Sequence, residues 1–277
     1  MKSFIADKNR KLTKLALYHI EDLSYSALLK ALRKKDVKVN GKRINSDVTL
    51  SVGDVVEIYY TPTVVEKYTK IFTDQNVVVL YKKSGYLSEA VFETLKLEYP
   101  DARFIHRLDR NTDGVMIFAL NDIAEEVLLK GFKERAFDKK YHAVVKGVPK
   151  NKTAILTAYL TKDKDLATVT VTDKKVDGAV MIKTGYTVLE DRGETALLEV
   201  VLYTGKTHQI RAHLAHIGHP IIGDGKYGDF DINQRFNAKS QMLSAYSLTL
   251  NFDKNSPLNY LDKKTFVYNK GSDTNSD

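Results

Sequence analysis

Cysteine is absent from the 277 residues. That excludes disulfides, thiolate metal sites, iron–sulfur clusters and a cysteine nucleophile, and it is compatible with a reducing compartment. No apolar run approaches the roughly 18 residues that span a bilayer. The first residues, MKSFIADKNRKLTK, lack the apolar core of a secretory signal. No membrane association and a cytoplasmic location are therefore expected. The extremes of collagen-like, mucin-like or wholly disordered chains are also missing: 43% of the residues are hydrophobic and 28% charged. A chain of this length can bury a sizeable core, as one large domain or two smaller ones. Acidic residues are in deficit, 35 against 43 Lys and Arg, for a net charge of +8. A basic excess favours polyanionic partners, nucleic acid foremost, without constraining the fold.

The excess is uneven. Residues 1–60 hold twelve Lys or Arg against seven Asp or Glu. Seven of the twelve are Lys30, Arg33, Lys34, Lys35, Lys38, Lys42 and Arg43, opposed in that stretch by Asp36 alone. Leu28, Leu29 and Leu32 have helical spacing, and Val37 and Val39 alternate with Lys38 and Asn40 as in a strand. Asn40-Gly41 signals a hairpin. The stretch DVTLSVGDVVEIYY reads as a further strand pair broken at Gly53-Asp54. Such a charge run is usually a solvated face. Here the like charges share one helix-turn-hairpin unit and repel one another unless an anion is near, so polyanion binding is expected. The unit resembles the small RNA-binding domain first known from ribosomal protein S-four, carried by VKVNGKRI and SVGDVVEI.

Residues 61–72 read as a linker, with Pro62 marking a turn or edge. Beyond it NVVVLYKK reads as a buried strand. SEAVFETLKLEY and NDIAEEVLLKGFKER read as amphipathic helices, the latter capped by Asn121 or Asp122. KKYHAVVKG, TAILTAYL, ATVTVT, AVMIKTGYTVL and TALLEVVLY supply strands. Many strands with few helices between them imply an α+β domain with a mixed, largely antiparallel sheet. It is expected over residues 73–268, after a small α+β basic domain at 1–60, with 269–277 as a disordered tail.

Two segments concentrate reactive side chains. In FIHRLDRNTDGVMIFAL, a loop dense in charge precedes a wholly apolar strand from Val115 to Leu120, and Gly114 lets the chain bend between them. Asp109 is flanked by Arg107 and Arg110, and positive charge nearby favours an ionised carboxylate, able to act as nucleophile or base. The plainer reading is a loop Asp–Arg pair. In YTGKTHQIRAHLAHIGHPIIGDGKYGD, Ile210, Leu214 and Ile217 form a buried helical stripe. Thr207 is the expected N-cap, Gly218 fits the position after the helix, and His208 and Arg211 share another face. Four of the seven histidines fall between His208 and His219. That invites a metal, but the window holds no Glu and no H-E-x-x-H pattern, so no metal is expected.

HRLDRNTDG, KKYHAVVKG and TGKTHQIRAHLAHIGHPIIGD closely resemble the three signature segments of RluA-type pseudouridine synthases, in that family's order. A basic N-terminal module is a common partner there. The resemblance implies a synthase that detaches uracil from its ribose in RNA, turns it and rejoins it through carbon 5, without a cofactor. It implies that Asp109 is the catalytic carboxylate, that Arg211 keeps it ionised and aimed, and that Tyr141 stacks on the target base. His106, Arg107, Thr112 and His208 are expected on the RNA side of this site, Arg107 filling the space of an extruded base or holding a phosphate. Ribosomal RNA is the favoured partner, transfer RNA a possible one, and a monomer suffices. Two positions depart from the common pattern: Asp113 stands where serine is frequent, and Lys83 where proline is. The alternative reading is a non-catalytic RNA-binding or ribosome-assembly factor on the same fold.

Overall fold

The computed structural model describes residues 1–20, 22–60, 66–163 and 168–268. It divides into two compact units, Met1–Glu66 and Lys67–Asp277. The expected tail at 269–277 and the first part of the expected linker lie outside the described residues.

The smaller unit runs β1 (Lys2–Ile5), β2 (Arg10–Lys11), α1 (Leu12–His19), α2 (Tyr25–Arg33), β3 (Val37–Val39), β4 (Lys42–Ile44), β5 (Thr49–Leu50) and β6 (Val55–Ile58). Ser24 caps α2, its hydroxyl accepting from Ala27 N at 3.1 Å. Leu28, Ala31 and Leu32 turn inward and pack with Leu12, Leu15, Val37, Val56 and Ile58. Asn40 (φ 50°) and Gly41 (φ 77°) are both left-handed, the tight turn that an Asn-Gly pair favours between β3 and β4. The strand pair expected around Gly53-Asp54 does not form. β5 pairs with β2, while β6 lies between β1 and β3 in the order β1-β6-β3-β4. The Asp54 carboxylate accepts from Ser51 N at 2.7 Å and closes the turn, but β1 and β3 occupy the two hydrogen-bonding edges of β6.

The larger unit contains β7 (Tyr68–Thr73), β8 (Val77–Lys82), α3 (Ser88–Lys96), β9 (Asp113–Ala119), α4 (Asp122–Glu134), β10 (Asp138–Lys146), β11 (Thr153–Asp163), β12 (Thr168–Thr172), β13 (Val180–Asp191), β14 (Thr195–Leu202), α5 (Gln209–His216), α6 (Phe230–Arg235), β15 (Leu243–Thr249) and β16 (Thr265–Val267). Its sheet has the order β12-β11-β13-β14-β10-β15-β9-β8-β7, with β16 beside β15. Its pairs are antiparallel except β15 with β9, which run parallel at Ser244–Asp113 and Ala245–Gly114. β7 corrects the linker expectation: Tyr68–Thr73 is the edge strand of this sheet, none of its residues fully buried, so its apolar alternation is weak.

Every residue of β8 and β9 is buried. Their two faces serve separate cores. Val78, Leu80, Met116 and Phe118 pack on Val91 and Leu95 of α3. Val77, Val79, Ile117 and Ala119 pack on Ala124 and Leu128 of α4. Strands covered on both faces read as continuous apolar runs, and each fully buried Val or Leu stabilises by about 1.5–3 kcal/mol before chain entropy is counted. α5 buries Ile210 and Leu214 against Val145, Leu198 and Ile221. The parallel junction of β9 and β15 thus brings the loop before β9 close to β10 and α5. Among the described residues, no helix is long and apolar enough to cross a membrane.

Candidate active site

The loop before β9 is held along its length. The Ser88 hydroxyl donates to Leu108 O at 2.9 Å, and Leu108 N donates back at 3.0 Å. Arg110 O accepts from Gly85 N at 2.9 Å, and Ser84 Oγ donates to Asn111 O at 2.8 Å. Thr112 is buried, and its hydroxyl accepts from Gln241 Nε2 at 2.8 Å. Lys82 adds a tie that the sequence reading missed. Its side chain is fully buried, and Nζ donates to the carbonyls of Lys83, Tyr86 and Arg110 at 3.2, 2.8 and 3.1 Å. Burial holds this ammonium down to about 8 despite the pull of Asp113 and Asp109. Gly114 (φ 139°) is needed where it stands, because a Cβ there would strike the backbone of Ala245 on the parallel neighbour.

Asp109 sits at the apex of this loop and faces α5. Arg211 Nη1 donates to Asp109 Oδ2 at 3.0 Å. The other edge of the same guanidinium grips Asp224: Nε to Oδ2 at 2.7 Å and Nη2 to Oδ1 at 2.9 Å. Asp224 also accepts from Lys226 N at 2.8 Å and Tyr227 N at 3.1 Å. Both Arg211 and Asp224 are buried, and the Tyr227 ring lies 5.2 Å from the guanidinium carbon. Burial pushes Asp224 up, but the Arg211 pair and the two backbone donors outweigh it and hold the carboxyl below its ordinary value. A bidentate pair fixes the plane of the guanidinium as well as its charge. Arg211 therefore reaches Asp109 as a cation with one available edge and little freedom.

This arrangement reassigns the electrostatics expected from the loop itself. Arg107 turns to Glu89, Nη1 to Oε1 at 3.3 Å, and Arg110 Nε donates to Gly85 O at 2.9 Å. The cation on Asp109 comes from α5, 102 residues away. Neighbouring side chains in an irregular loop diverge, so adjacency in sequence does not make an ion pair.

α5 starts differently from the expectation. Thr207 is not the cap; His208 is, in the left-handed region at φ 54°, with no side-chain capping bond. That turn swings the imidazole toward the site. His208 Nδ1 and Tyr227 Oη share a hydrogen bond at 2.9 Å, and Nε2 lies 3.9 Å from Asp109 Oδ2. Tyr227 Oη already accepts from Val169 N at 2.9 Å. We therefore assign its own proton to His208 Nδ1 and the imidazole proton to Nε2, toward Asp109. Burial holds this imidazole below its ordinary value, against the pull of Asp109.

Tyr141 is buried on β10, and burial together with the Asp109 charge raises its phenol, which stays protonated at neutral pH. His106 supports the loop: its Nε2 accepts from Ile117 N at 3.1 Å and its ring stacks on Phe132 at 4.4 Å. Burial, then the charge of Lys139, hold it down to about 3, so it is neutral. The histidines of α5 and its exit go to separate partners: His213 to Thr184 Oγ1, His216 to Asp173 and His219 to Lys146 O. Among the described residues, no three His, Asp or Glu side chains converge as a metal site would need.

His106, Arg107, Asp109, Tyr141, His208 and Arg211 line one cavity of about 640 Å³. It has room for a nucleoside and part of its flanking backbone. The signals for Asp224 and Lys82 were present but ambiguous: an Asp between two glycines reads as a turn residue, and a Lys ending an apolar run reads as a solvent-facing one.

Comparison with known proteins agrees with this geometry. The family model described as RNA pseudouridylate synthase matches residues 76–216. The ribosomal large subunit pseudouridine synthase C of Vibrio vulnificus is 32% identical over 247 residues, covering 79% of this chain and 75% of that one. The protein of the same name from Salmonella typhimurium is 31% identical, covering 76% and 73%. Among solved structures, human RNA pseudouridylate synthase domain containing 1 superposes with a TM-score of 0.61 at 25% identity, covering 70% of this chain and 82% of that one. The matched span runs from β8 through α5 and so includes the Asp109 loop, Tyr141 and Arg211; the chain belongs to the RNA pseudouridylate synthase family and is an RNA pseudouridine synthase.

Proposed function

We propose that this synthase isomerises specific uridines of large-subunit ribosomal RNA, with Asp109 as its catalytic carboxylate. The observation that carries the reading is the single cavity in which an immobilised Arg211 presents one edge to Asp109 beside a buried Tyr141. The names of the bacterial relatives favour the ribosomal substrate.

The chemistry follows from these side chains. A uridine in a paired or stacked strand must be flipped out, at a cost of a few kcal/mol. Tyr141 offers a ring for the base to stack on and a neutral hydroxyl as donor. Asp109, held in place by its hydrogen bond from Arg211, acts at the sugar or the base. The bond from N1 to C1′ breaks, the base turns, and C5 bonds to C1′. N1 gains a proton and C5 loses one, so the net change is an isomerisation with no redox step. Arg107, half-free at the cavity edge beside Glu89, is placed to occupy the vacated stack or to hold a phosphate.

In this reading the Met1–Glu66 unit grips the RNA backbone. Lys30, Arg33, Lys34, Lys35 and Lys42 are exposed, and among the described residues no carboxylate pairs with them. Lys38 and Arg43 are partly neutralised, by Glu57 at 4.0 Å and Asp36 at 3.7 Å. Phosphate contacts supply affinity with little sequence information.

The test is pseudouridine mapping at nucleotide resolution on unmodified total RNA, with wild-type protein and Asp109→Ala in parallel. New sites in large-subunit RNA that require Asp109 are expected. New sites in transfer RNA alone would replace the substrate; sites made equally by the variant would remove Asp109 from the chemistry.

A further inference from the structure

We propose that Arg135 and Lys139, at the α4–β10 end of the active-site cavity, form a binding site for one backbone phosphate of the RNA beside the target uridine. The inference rests on the synthase reading for the identity of the polyanion.

Both residues line the same cavity as Asp109 and Tyr141. Of the other cations of that cavity, Arg211 is paired with Asp109 and Asp224 and Arg107 with Glu89, while Lys133 and Lys206 are solvent-exposed and, like Arg135 and Lys139, have no carboxylate partner among the described residues. What sets Arg135 and Lys139 apart is that they face one another, with Lys139 taken partly out of solvent. Among the described residues no carboxylate lies within ion-pair distance of either. The acidic side chain nearest in the lining, Asp138, accepts from Asn251 Nδ2 at 3.1 Å instead. Lys139 lies with Nζ 5.0 Å from the Phe132 ring centre, and burial, then the charge of Arg135, lower its affinity for a proton. Two cations that repel one another, one of them largely desolvated, cost stability when empty and gain most from a bound anion.

The backbone supplies an independent observation. α4 ends on Arg135 in the left-handed region, φ 59° and ψ 33°. Glycine takes that position without steric cost, and asparagine with little. An arginine there sacrifices helix-end stability, and what it gains is a guanidinium at the cavity. A planar guanidinium beside an ammonium suits a phosphodiester, which one can bind in a fork and the other as a point charge. Neutral His106, its Nε2 occupied by Ile117, adds no charge of its own.

The cap makes the test sharp, because Arg135→Gly should preserve or raise Tm while weakening RNA binding. For Arg135→Gly and Lys139→Met we expect KM for the mapped RNA to rise about tenfold each, with kcat within about twofold. Binding of a fluorescein-labelled oligouridylate should show a salt dependence shallower by about 0.7 in log–log slope per cation removed. A single-position methylphosphonate scan of a substrate fragment should find one phosphate whose neutralisation weakens wild type but not the double variant. Unchanged KM and salt slope in a folded Arg135→Gly would overturn the proposal. So would a scan in which every position affects wild type and double variant alike. If no RNA is modified by wild-type protein, the synthase reading fails by itself, and the oligouridylate slopes still decide the phosphate site.

Discussion

The basic face of the smaller unit and the floor of the active-site cavity hold the same residue types in opposite physical states. Lys30, Arg33, Lys34 and Lys35 stand in solvent and, among the described residues, have no carboxylate partners. Arg211 is buried, with its Nε, Nη1 and Nη2 committed to Asp224 or Asp109. The first state suits long-range attraction: exposed cations are cheap to keep, easily screened and individually replaceable. The second suits chemistry: desolvation is costly, but a fixed charge in a low-dielectric pocket acts strongly on one neighbour. Lys139 falls between, partly buried yet without a carboxylate partner among the described residues and facing the exposed Arg135, and that state is what marks the pair as waiting for an anion.

Four experiments break or sharpen this contrast. The largest effect belongs to Asp109. Asp109→Ala should lower turnover by at least about 10³-fold while RNA affinity and Tm stay near wild type, as measured by single-turnover pseudouridine formation and by thermal melting. Retained turnover would detach the buried network from catalysis.

Next is Asp224→Asn, which takes the bidentate carboxylate from the buried Arg211 and leaves it only the single contact to Asp109. Breaking such a pair costs about 3–5 kcal/mol, so denaturant unfolding should show a loss of that order, with turnover falling as Arg211 lets go of Asp109. The pH dependence has a definite sign. The folded carboxyl lies below its ordinary value, so its stabilisation is complete at neutral pH and lost as pH falls through the folded value. Wild type should lose stability in acid more steeply than the variant; parallel curves would mean that the pair is electrostatically neutral.

Lys82→Met removes the donor from three carbonyls and should cost about 1–3 kcal/mol with a drop in kcat, since Arg110 belongs to the Asp109 loop. The folded ammonium titrates near 8, below its ordinary value. The unfolded chain then holds that proton more tightly, so this group makes stability rise with pH above about 8. Unfolding free energies of wild type and variant across that alkaline window would show it as a slope present only in wild type.

The smallest effect is expected on the solvated face. Neutralising Arg33, Lys34 and Lys35 together should weaken RNA binding about tenfold and lower the salt slope by about 2, leaving kcat and Tm unchanged. An unchanged slope in filter binding would show a merely hydrated surface.

How much of this was legible beforehand differs by element. α4 could be placed from Asn121 and its apolar spacing, and the Asn40-Gly41 hairpin from two residues, because caps and tight turns depend on local backbone chemistry. β8 was legible because burial on both faces leaves an uninterrupted apolar run. β7 was not, since an edge strand with only half-buried residues carries a weak pattern. Asp109, Tyr141 and Arg211, which the structure brings to one cavity, could be singled out through their motifs. The pairing of Asp109 with Arg211 was expected from the motif resemblance, whereas local charge alone put Arg107 and Arg110 on Asp109, and Glu89 and Gly85 O take those two instead.

The sequence by itself determined the inventory and the local geometry: an excess of cations in the first sixty residues, the absence of thiol chemistry, the apolar strands, the capped helices and the motif side chains. The tertiary structure alone decided which charges meet. Parallel pairing of β15 with β9, possible only because Gly114 has no side chain, places the Asp109 loop beside α5 and lets Arg211 bridge two carboxylates. Pairing energies depend on distance and desolvation, and neither is written in the order of residues along a chain.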